Sequence, residues 1–273
     1  MDFQQTIGDE ITLSGVGLHT GNFGKVTLKP AEADSGIVFR QGTQLLEANW
    51  RHVVDTRRCT VLGSGDLRIG TVEHLLSALN GLAIDNAVVE IEGEEVPAVD
   101  GSAAPFVQAI RKIGLNRLSA SRKALRLKRA CAVREGDSWL VAAPSDDFSI
   151  VCVTEFEHPL LGLQGGHFDG TPESYEREVA PARTFGFATE VEALRSASLA
   201  RGGSLENAIV IFEDRFSGEL RYPDECLRHK VLDLFGDLTL VGHPIKAAIT
   251  AIKPSHRANV ALARMISEEA VSE

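Results

Sequence analysis

The sequence predicts an α+β protein in two halves, and three observations carry the prediction. Short strand-like runs bracket helical segments in the first hundred or so residues, and the same alternation restarts after a basic stretch. The 273 residues suffice for one large domain or two of ordinary size. The joint falls near residues 117–124, giving halves at 1–118 and 125–273.

In chain order, KVTLKP and GIVFR read as strands, TVEHLLSALNGL as a helix, and DNAVVEIEG as a return strand. A second helix spans FVQAIRKIGL; Ser102 is suited to cap it, Pro105 to its first turn, and Gly114 closes it. In the second half ALRLKRACAV, SWLVAAP and FSIVCVTEF are strands and TPESYEREV is a short amphipathic segment. ATEVEALRSASLARGG reads as a helix ending at Gly202 or Gly203, and ENAIVIFE as a strand. After a loop with Pro223 come the helix RHKVLDLFGD, the strand PIKAAITAI, a histidine-containing turn SHRAN and a terminal helix ALARMISEE. No short-period repeat or low-complexity segment interrupts this order.

A chain that is 44% apolar can bury a substantial core, and a formal net charge of −10 excludes wholesale nucleic-acid binding, which needs a basic surface. One stretch departs from this balance. Between Gly101 and Arg134 there is no acidic residue, while Arg117, Arg122, Lys123, Arg126, Lys128 and Arg129 all occur. It reads as a solvated linker and edge strand, with a phosphate or membrane-surface patch as the alternative. Cys59, Cys131, Cys152 and Cys226 form no CxxC pair, and MDFQQTIGDE lacks the basic and apolar regions of a signal peptide. These features predict a cytoplasmic protein with no transmembrane segment, whose contact with lipid would be peripheral.

RHKVLDLFGD places His229, Asp233 and Asp237 at four-residue intervals, on one stripe of a helix. His229 and Asp233 have the spacing that lets two side chains bind one metal ion, and a catalytic site of this type needs a third ligand. His74, inside an apolar helix, is the candidate, with Glu73 beside it as a carboxylate able to take a proton from water. A helical His beside an acid is also commonly an ordinary surface or core residue, and an i,i+4 His–Asp pair a weak ion pair. The joint occurrence of HKVLD, the Glu–His pair and His256 is what favours metal chemistry. Other readings lack their anchors: GVGLHTG has its third glycine one residue late for a dinucleotide loop, and no P-loop, HExxH or GxSxG motif is present.

GVGLHTG, TVEHLLSALNGLAIDN, DGSAAPFV, ARTFGF, GGSLENAIV, RHKVLDLFGDL and SHRAN, in this order, resemble the UDP-3-O-acyl-N-acetylglucosamine deacetylase family of lipid A biosynthesis, from about residue 10 to about residue 260. The resemblance implies a zinc-dependent amidohydrolase that releases acetate from the 2-acetamido group of UDP-3-O-(3-hydroxyacyl)-N-acetylglucosamine. It implies metal ligands at His74, His229 and Asp233, a general base at Glu73, an acid and oxyanion stabiliser at His256, and Asp237 orienting that histidine. Thr184 and Phe185 match its substrate-contacting pair, and Lys230 would face the diphosphate. An acyl passage is implied in a β-α-β insert at 186–212, with Val191, Leu194, Ala200, Leu205, Ala208 and Val210 as lining candidates; core packing is the competing account of these apolar positions. Zn²⁺ is the implied cofactor, and two imidazoles with one carboxylate also suit Fe²⁺. The implied fold is a two-domain sandwich: a mainly antiparallel sheet in each half, with the helices packed between the sheets and the site between the halves. The expected partner is a small molecule, an acylated UDP-amino sugar, bound by a monomer. A non-catalytic UDP-sugar or acyl-binding protein on the same scaffold is the alternative.

Overall fold

The computed structural model of the protein describes residues 3–272, and within them the period-two runs become strands. In Phe23–Lys29, Val26 and Leu28 are buried while Lys25 points outward; in Ala87–Glu92, Ala87, Val89 and Ile91 are buried. One face of each strand is therefore apolar and must be covered. A five-stranded sheet forms in the order Ile11–Val16, Phe23–Lys29, Ala87–Glu92, Ile37–Gln41, Gln44–Glu47, antiparallel except where Ile37–Gln41 runs parallel to Ala87–Glu92. The second half builds a seven-stranded sheet around Ile245–Ile252, which pairs antiparallel with Ser138–Pro144 and parallel with Ser149–Phe156.

Six α-helices occur among the described residues: α1 (Glu73–Gly81), α2 (Ala104–Ile113), α3 (Pro172–Glu178), α4 (Val191–Ser196), α5 (Glu225–Leu238) and α6 (His256–Glu269). Helices α1 and α5, one from each half, are buried almost throughout, and Leu75, Leu76 and Leu79 share one core with Val231, Leu232 and Phe235. Each is apolar on more than one side because each is covered on more than one side. Polar pins cross the contact: Asn80 Nδ2 donates to the Phe235 carbonyl at 2.9 Å, and Thr239 Oγ1 to the Leu76 carbonyl at 3.2 Å. This is the α+β sandwich expected from the sequence.

The approach of α5 to α1 depends on Gly236. A Cβ there would lie 2.1 Å from the Glu73 carbonyl oxygen and 2.9 Å from its Cα, so backbone would have to yield. Gly236→Ala gains about 1 kcal/mol of helix propensity but forces the helices apart at a cost of about 1–3 kcal/mol or more. We expect the overpacking to win and the melting temperature to fall by roughly 4–8 °C. A thermal melt superimposable on that of the native chain would show that the two helices can separate freely here.

Four sequence expectations are corrected. The basic stretch is not a linker: Leu115–Ser121 pairs antiparallel with Phe3–Ile7, Arg117 stacks over Phe3 at 3.7 Å, and Arg122 Nε donates to Asp85 at 2.7 Å. Ser102 is not the N-cap of α2; Ala103 occupies that position with no side-chain bond, and the Ser102 hydroxyl accepts from Ala104 N–H at 3.2 Å instead. The predicted helix over 188–203 is a 3₁₀ turn at Ala188–Glu190 followed by α4, which stops at Ser196. Beyond it the chain is captured by the GVGLHTG loop, with Gly202 N–H donating to the Leu18 carbonyl at 3.0 Å and Arg201 N–H to the His19 carbonyl at 3.2 Å. Those bonds require an extended course that a helix cannot follow. Finally, SHRAN is not a turn. Ser255 is an N-cap, accepting from Ala258 N–H at 3.4 Å, and His256 is the first residue of α6.

Candidate active site

Three helices deliver the chemistry. Glu73 and His74 open α1, whose N-terminal turn is stitched to the strand Val61–Ser64 through Val72 N–H donating to the Thr60 carbonyl at 3.3 Å. His229, Asp233 and Asp237 line the stripe of α5 that faces α1, as their four-residue spacing requires. His256 arrives from the other direction. The strand Ile245–Ile252 ends, Lys253 turns with φ of +49°, Pro254 and Ser255 follow, and α6 starts at the histidine.

His74, His229 and Asp233 each offer a ligand atom within 4.8 Å of the others, and all three are buried. Asp233 Oδ1 lies 3.4 Å from His229 Nε2 and 3.8 Å from His74 Nε2, and it has no hydrogen-bond partner. A buried carboxylate oxygen left without a donor costs about 1–3 kcal/mol or more, so an oxygen and two imidazole nitrogens converging on one point fit a divalent cation. His229 Nδ1 sits 3.1 Å from the Ala182 carbonyl, which can only accept; Nδ1 therefore carries the proton and Nε2 presents its lone pair. Burial lowers His74 to about 3, and burial likewise lowers His229, so both imidazoles are neutral, as metal ligands must be. Burial alone would raise Asp233, yet His229, Lys230, His256 and His74 hold it well below the usual carboxylate range. With the two ligand-set imidazoles neutral near pH 7, Lys230 and His256 carry that effect.

Next to this triad stand an acid and a base. Glu73 is pushed up to about 8 by burial, with Asp237 and Asp233 adding to the rise and His256 opposing it. Its Oε2 accepts from Thr60 N–H at 3.0 Å, and its Oε1 faces His256 Nε2 at 4.0 Å. Burial and a helix N-terminus both disfavour a charged His256. Asp237, Asp233 and Glu73 outweigh them and raise it to about 9. Asp237 Oδ2 accepts from His256 Nδ1 at 2.9 Å, leaving Nε2 directed at Glu73 and Asp233, and Asn259 Nδ2 supplies a second bond to the same oxygen at 2.9 Å.

A cavity of about 300 Å³ opens on this cluster, and Glu73, His74, His229, Asp233 and His256 all line it. Thr184, Phe185 and Lys230 line it too, while Asp237 lies behind His256 and is fully buried. Arg183 fixes the Thr184–Phe185 segment through a paired contact with the buried Glu225, Nε to Oε1 at 2.9 Å and Nη2 to Oε2 at 3.1 Å. Lys230 Nζ donates to Asp233 Oδ2 at 3.2 Å, so its charge is spent on the triad in this conformation. Another cavity, of about 330 Å³, lined by Gln4, Asp34, Asn86, Arg122 and His243 among others, holds none of these residues.

The implied acyl positions fall elsewhere. Phe185–Phe187 and Ile209–Ile211 pair in parallel around α4 as a β-α-β insert, but Val191, Leu194, Ala200, Leu205, Ala208 and Val210 do not line the cavity at the triad. Val191 lines a separate open depression with Glu192 and Arg195, and Leu205 is 65% exposed. The apolar wall next to the triad is made instead by Phe156, Phe185 and Phe187, with Phe156 and Phe185 edge to face at 5.6 Å. Leu18, Arg58, Phe156 and Phe187 join the cavity without having been nominated from the sequence. Leu18 lies in GVGLHTG, a motif that was quoted; no local pattern marked the other three.

Two neutral imidazoles and an ionised carboxylate around one point, flanked by a carboxyl and a cationic imidazole, define the site of a metal-dependent hydrolase. Comparison with known proteins agrees. The family described as LpxC, UDP-3-O-acyl N-acetylglycosamine deacetylase, matches residues 4–268. The chain is 45% identical to the UDP-3-O-acyl-N-acetylglucosamine deacetylase of Thioalkalivibrio sulfidiphilus, across 97% of this chain and 90% of that one. It is 44% identical to the enzyme of the same name from Acidithiobacillus ferrooxidans, across 96% and 89%. The chain belongs to the UDP-3-O-acyl-N-acetylglucosamine deacetylase family.

Proposed function

We propose that this chain hydrolyses the 2-acetamido group of UDP-3-O-(3-hydroxyacyl)-N-acetylglucosamine, releasing acetate and the free amine in lipid A biosynthesis. The observation that carries this reading is the convergence of His74, His229 and Asp233 in one cavity with Glu73 and His256. A divalent cation held by that triad, Zn²⁺ or Fe²⁺, would supply Lewis acidity toward water and the amide carbonyl and draw Glu73 back to its carboxylate form. Glu73 then takes a proton from the attacking water. His256 enters as imidazolium, offsets the charge developing on the former carbonyl oxygen with Thr184, and donates its Nε2 proton to the departing nitrogen. Phe185 lies against the sugar; Lys230 turns toward the diphosphate once its bond to Asp233 is relieved. The apolar residues of the insert, Val191, Leu194, Ala200, Leu205, Ala208 and Val210, would be met by the acyl chain only along the outer part of its course.

The same reading includes a division into units at 1–118 and 125–273 and a monomer acting in the cytoplasm, touching a membrane at most peripherally. The four unpaired cysteines and the lack of any helix long and apolar enough to cross a membrane, among the described residues, are compatible with it. The test is metal analysis combined with an acetate-release assay on the acylated UDP-amino sugar. A correctly folded, metal-loaded preparation that releases no acetate overturns the proposal.

The acid role has a pH signature. His256 is raised from 6.5 to about 9, so the imidazolium is present through neutrality and turnover falls as the proton is lost above about pH 9. Asp237 is the leading interaction that raises it. Asp237→Asn should therefore move the alkaline limb of kcat down by about one unit or more. The stability linkage has the same sign: the folded value exceeds 6.5, so the contribution is complete below 6.5 and disappears as pH rises through about 9. An alkaline limb unmoved by Asp237→Asn would remove His256 from the acid role.

A further inference from the structure

Thr60 sits at the one point where the base side and the acid side of the site meet. It has no exposure, and both of its backbone polar groups are committed to α1: the carbonyl accepts from Val72 N–H at 3.3 Å, and the N–H donates to Glu73 Oε2 at 3.0 Å. Its hydroxyl crosses to the other half of the molecule and donates to Asp237 Oδ1 at 2.6 Å. The acid pair lies immediately beyond. Asp237 uses its other oxygen, Oδ2, for His256 Nδ1 and Asn259 Nδ2.

The hydrogen-bond inventory fixes who donates. A threonine hydroxyl has one proton, and at 2.6 Å from an ionised carboxylate that proton goes to Asp237. His256 Nδ1, 3.4 Å from the same hydroxyl, is left with Asp237 Oδ2 as its acceptor. Without the hydroxyl, Oδ1 would be a buried carboxylate oxygen with no donor. The carboxylate would then rotate to share its remaining donors, and the His256 ring would turn with it.

Resting on the assignment of Glu73 as base and His256 as acid made above, we propose that Thr60 is a positioning residue for the deacetylation reaction. Its main chain holds the base, its hydroxyl holds the partner of the acid, and the separation between proton acceptor and proton donor is thereby set by a single residue. Thr60 lines no part of the cavity, so it acts through Glu73 and Asp237 and not on substrate.

The two functions are separable, because Thr60→Val removes the hydroxyl at nearly constant shape and keeps the N–H that holds Glu73. A lost hydrogen bond to a charged group predicts a fall in kcat of about tenfold to a hundredfold. Substrate KM should stay within about twofold and bound metal should be unchanged, since neither substrate nor triad is touched. Thr60→Ser, which retains the proton, should restore kcat to within a few-fold of the native chain. In an Asp237→Asn background, Thr60→Val should cost less than about threefold, since the carboxylate through which it acts is already gone. If Thr60→Val does not fold, Thr60→Ala takes its place in the same comparisons. The proposal is overturned by native kcat in the Val or Ala variant, by failure of Ser to rescue, by loss of metal, or by an undiminished penalty in the Asp237→Asn background. Absence of acetate release by the native chain is a separate result; it defeats the functional reading and leaves this comparison without an enzyme to perturb, which also overturns it.

Discussion

Glu73→Ala is expected to retain its metal and lose about 10²–10⁴-fold in kcat, the range that general-base catalysis contributes. The two parts of that result come from different features. Retained metal follows because the triad of His74, His229 and Asp233 is complete without Glu73. Lost turnover follows because Glu73 is the carboxyl in the cavity that no side chain holds in a short ion pair: its nearest charged partner, His256 Nε2, is 4.0 Å away, and only the Thr60 N–H bonds it directly. Glu73→Gln should behave the same way with less disturbance of the surrounding packing. Metal content by elemental analysis and kcat by acetate release decide the matter, and a variant with turnover within about tenfold of the native chain would transfer the base role to another group.

Removing the metal, or a ligand to it, should have an effect of comparable size on activity and a further one on stability. Asp233→Ala deletes the buried oxygen that has no other partner and the anion that holds Lys230 at 3.2 Å. We expect no stoichiometric metal and no detectable acetate release. Zinc added to chelated native protein should raise its melting temperature, because a ligand that binds only the folded state at about a hundred times its dissociation constant contributes about 2.7 kcal/mol. The Asp233→Ala variant should show no such rise. This calorimetric contrast is read without substrate, so it tests the triad independently of the reaction. Equal zinc-induced shifts in the two proteins would place the ion elsewhere.

Much of the site was legible because helical periodicity is a local property. His229, Asp233 and Asp237 share a face in any helix that RHKVLDLFGD forms, and Glu73–His74 open theirs whatever surrounds them. The stops of helices were less legible. ATEVEALRSASLARGG has acceptable helix residues to its end, and only the loop at Leu18–His19, nearly two hundred residues earlier, takes the chain out of helix. SHRAN hid its helix for a related reason: Ser255 is a good cap, but its value as a start signal depended on seeing that His256 belonged to the helix and not to a turn.

By itself, then, the sequence determined the α+β alternation, the strand faces, and the residue types able to hold a divalent cation and move protons. Each of these follows from spacing along a chain of fixed geometry. Tertiary structure alone decided that α1 and α5 touch at Gly236, that Thr60 reaches both Glu73 and Asp237, and that aromatic residues wall the cavity where small insert residues were expected. Those outcomes join residues more than a hundred positions apart, and no local periodicity specifies which distant surfaces will exclude water from each other.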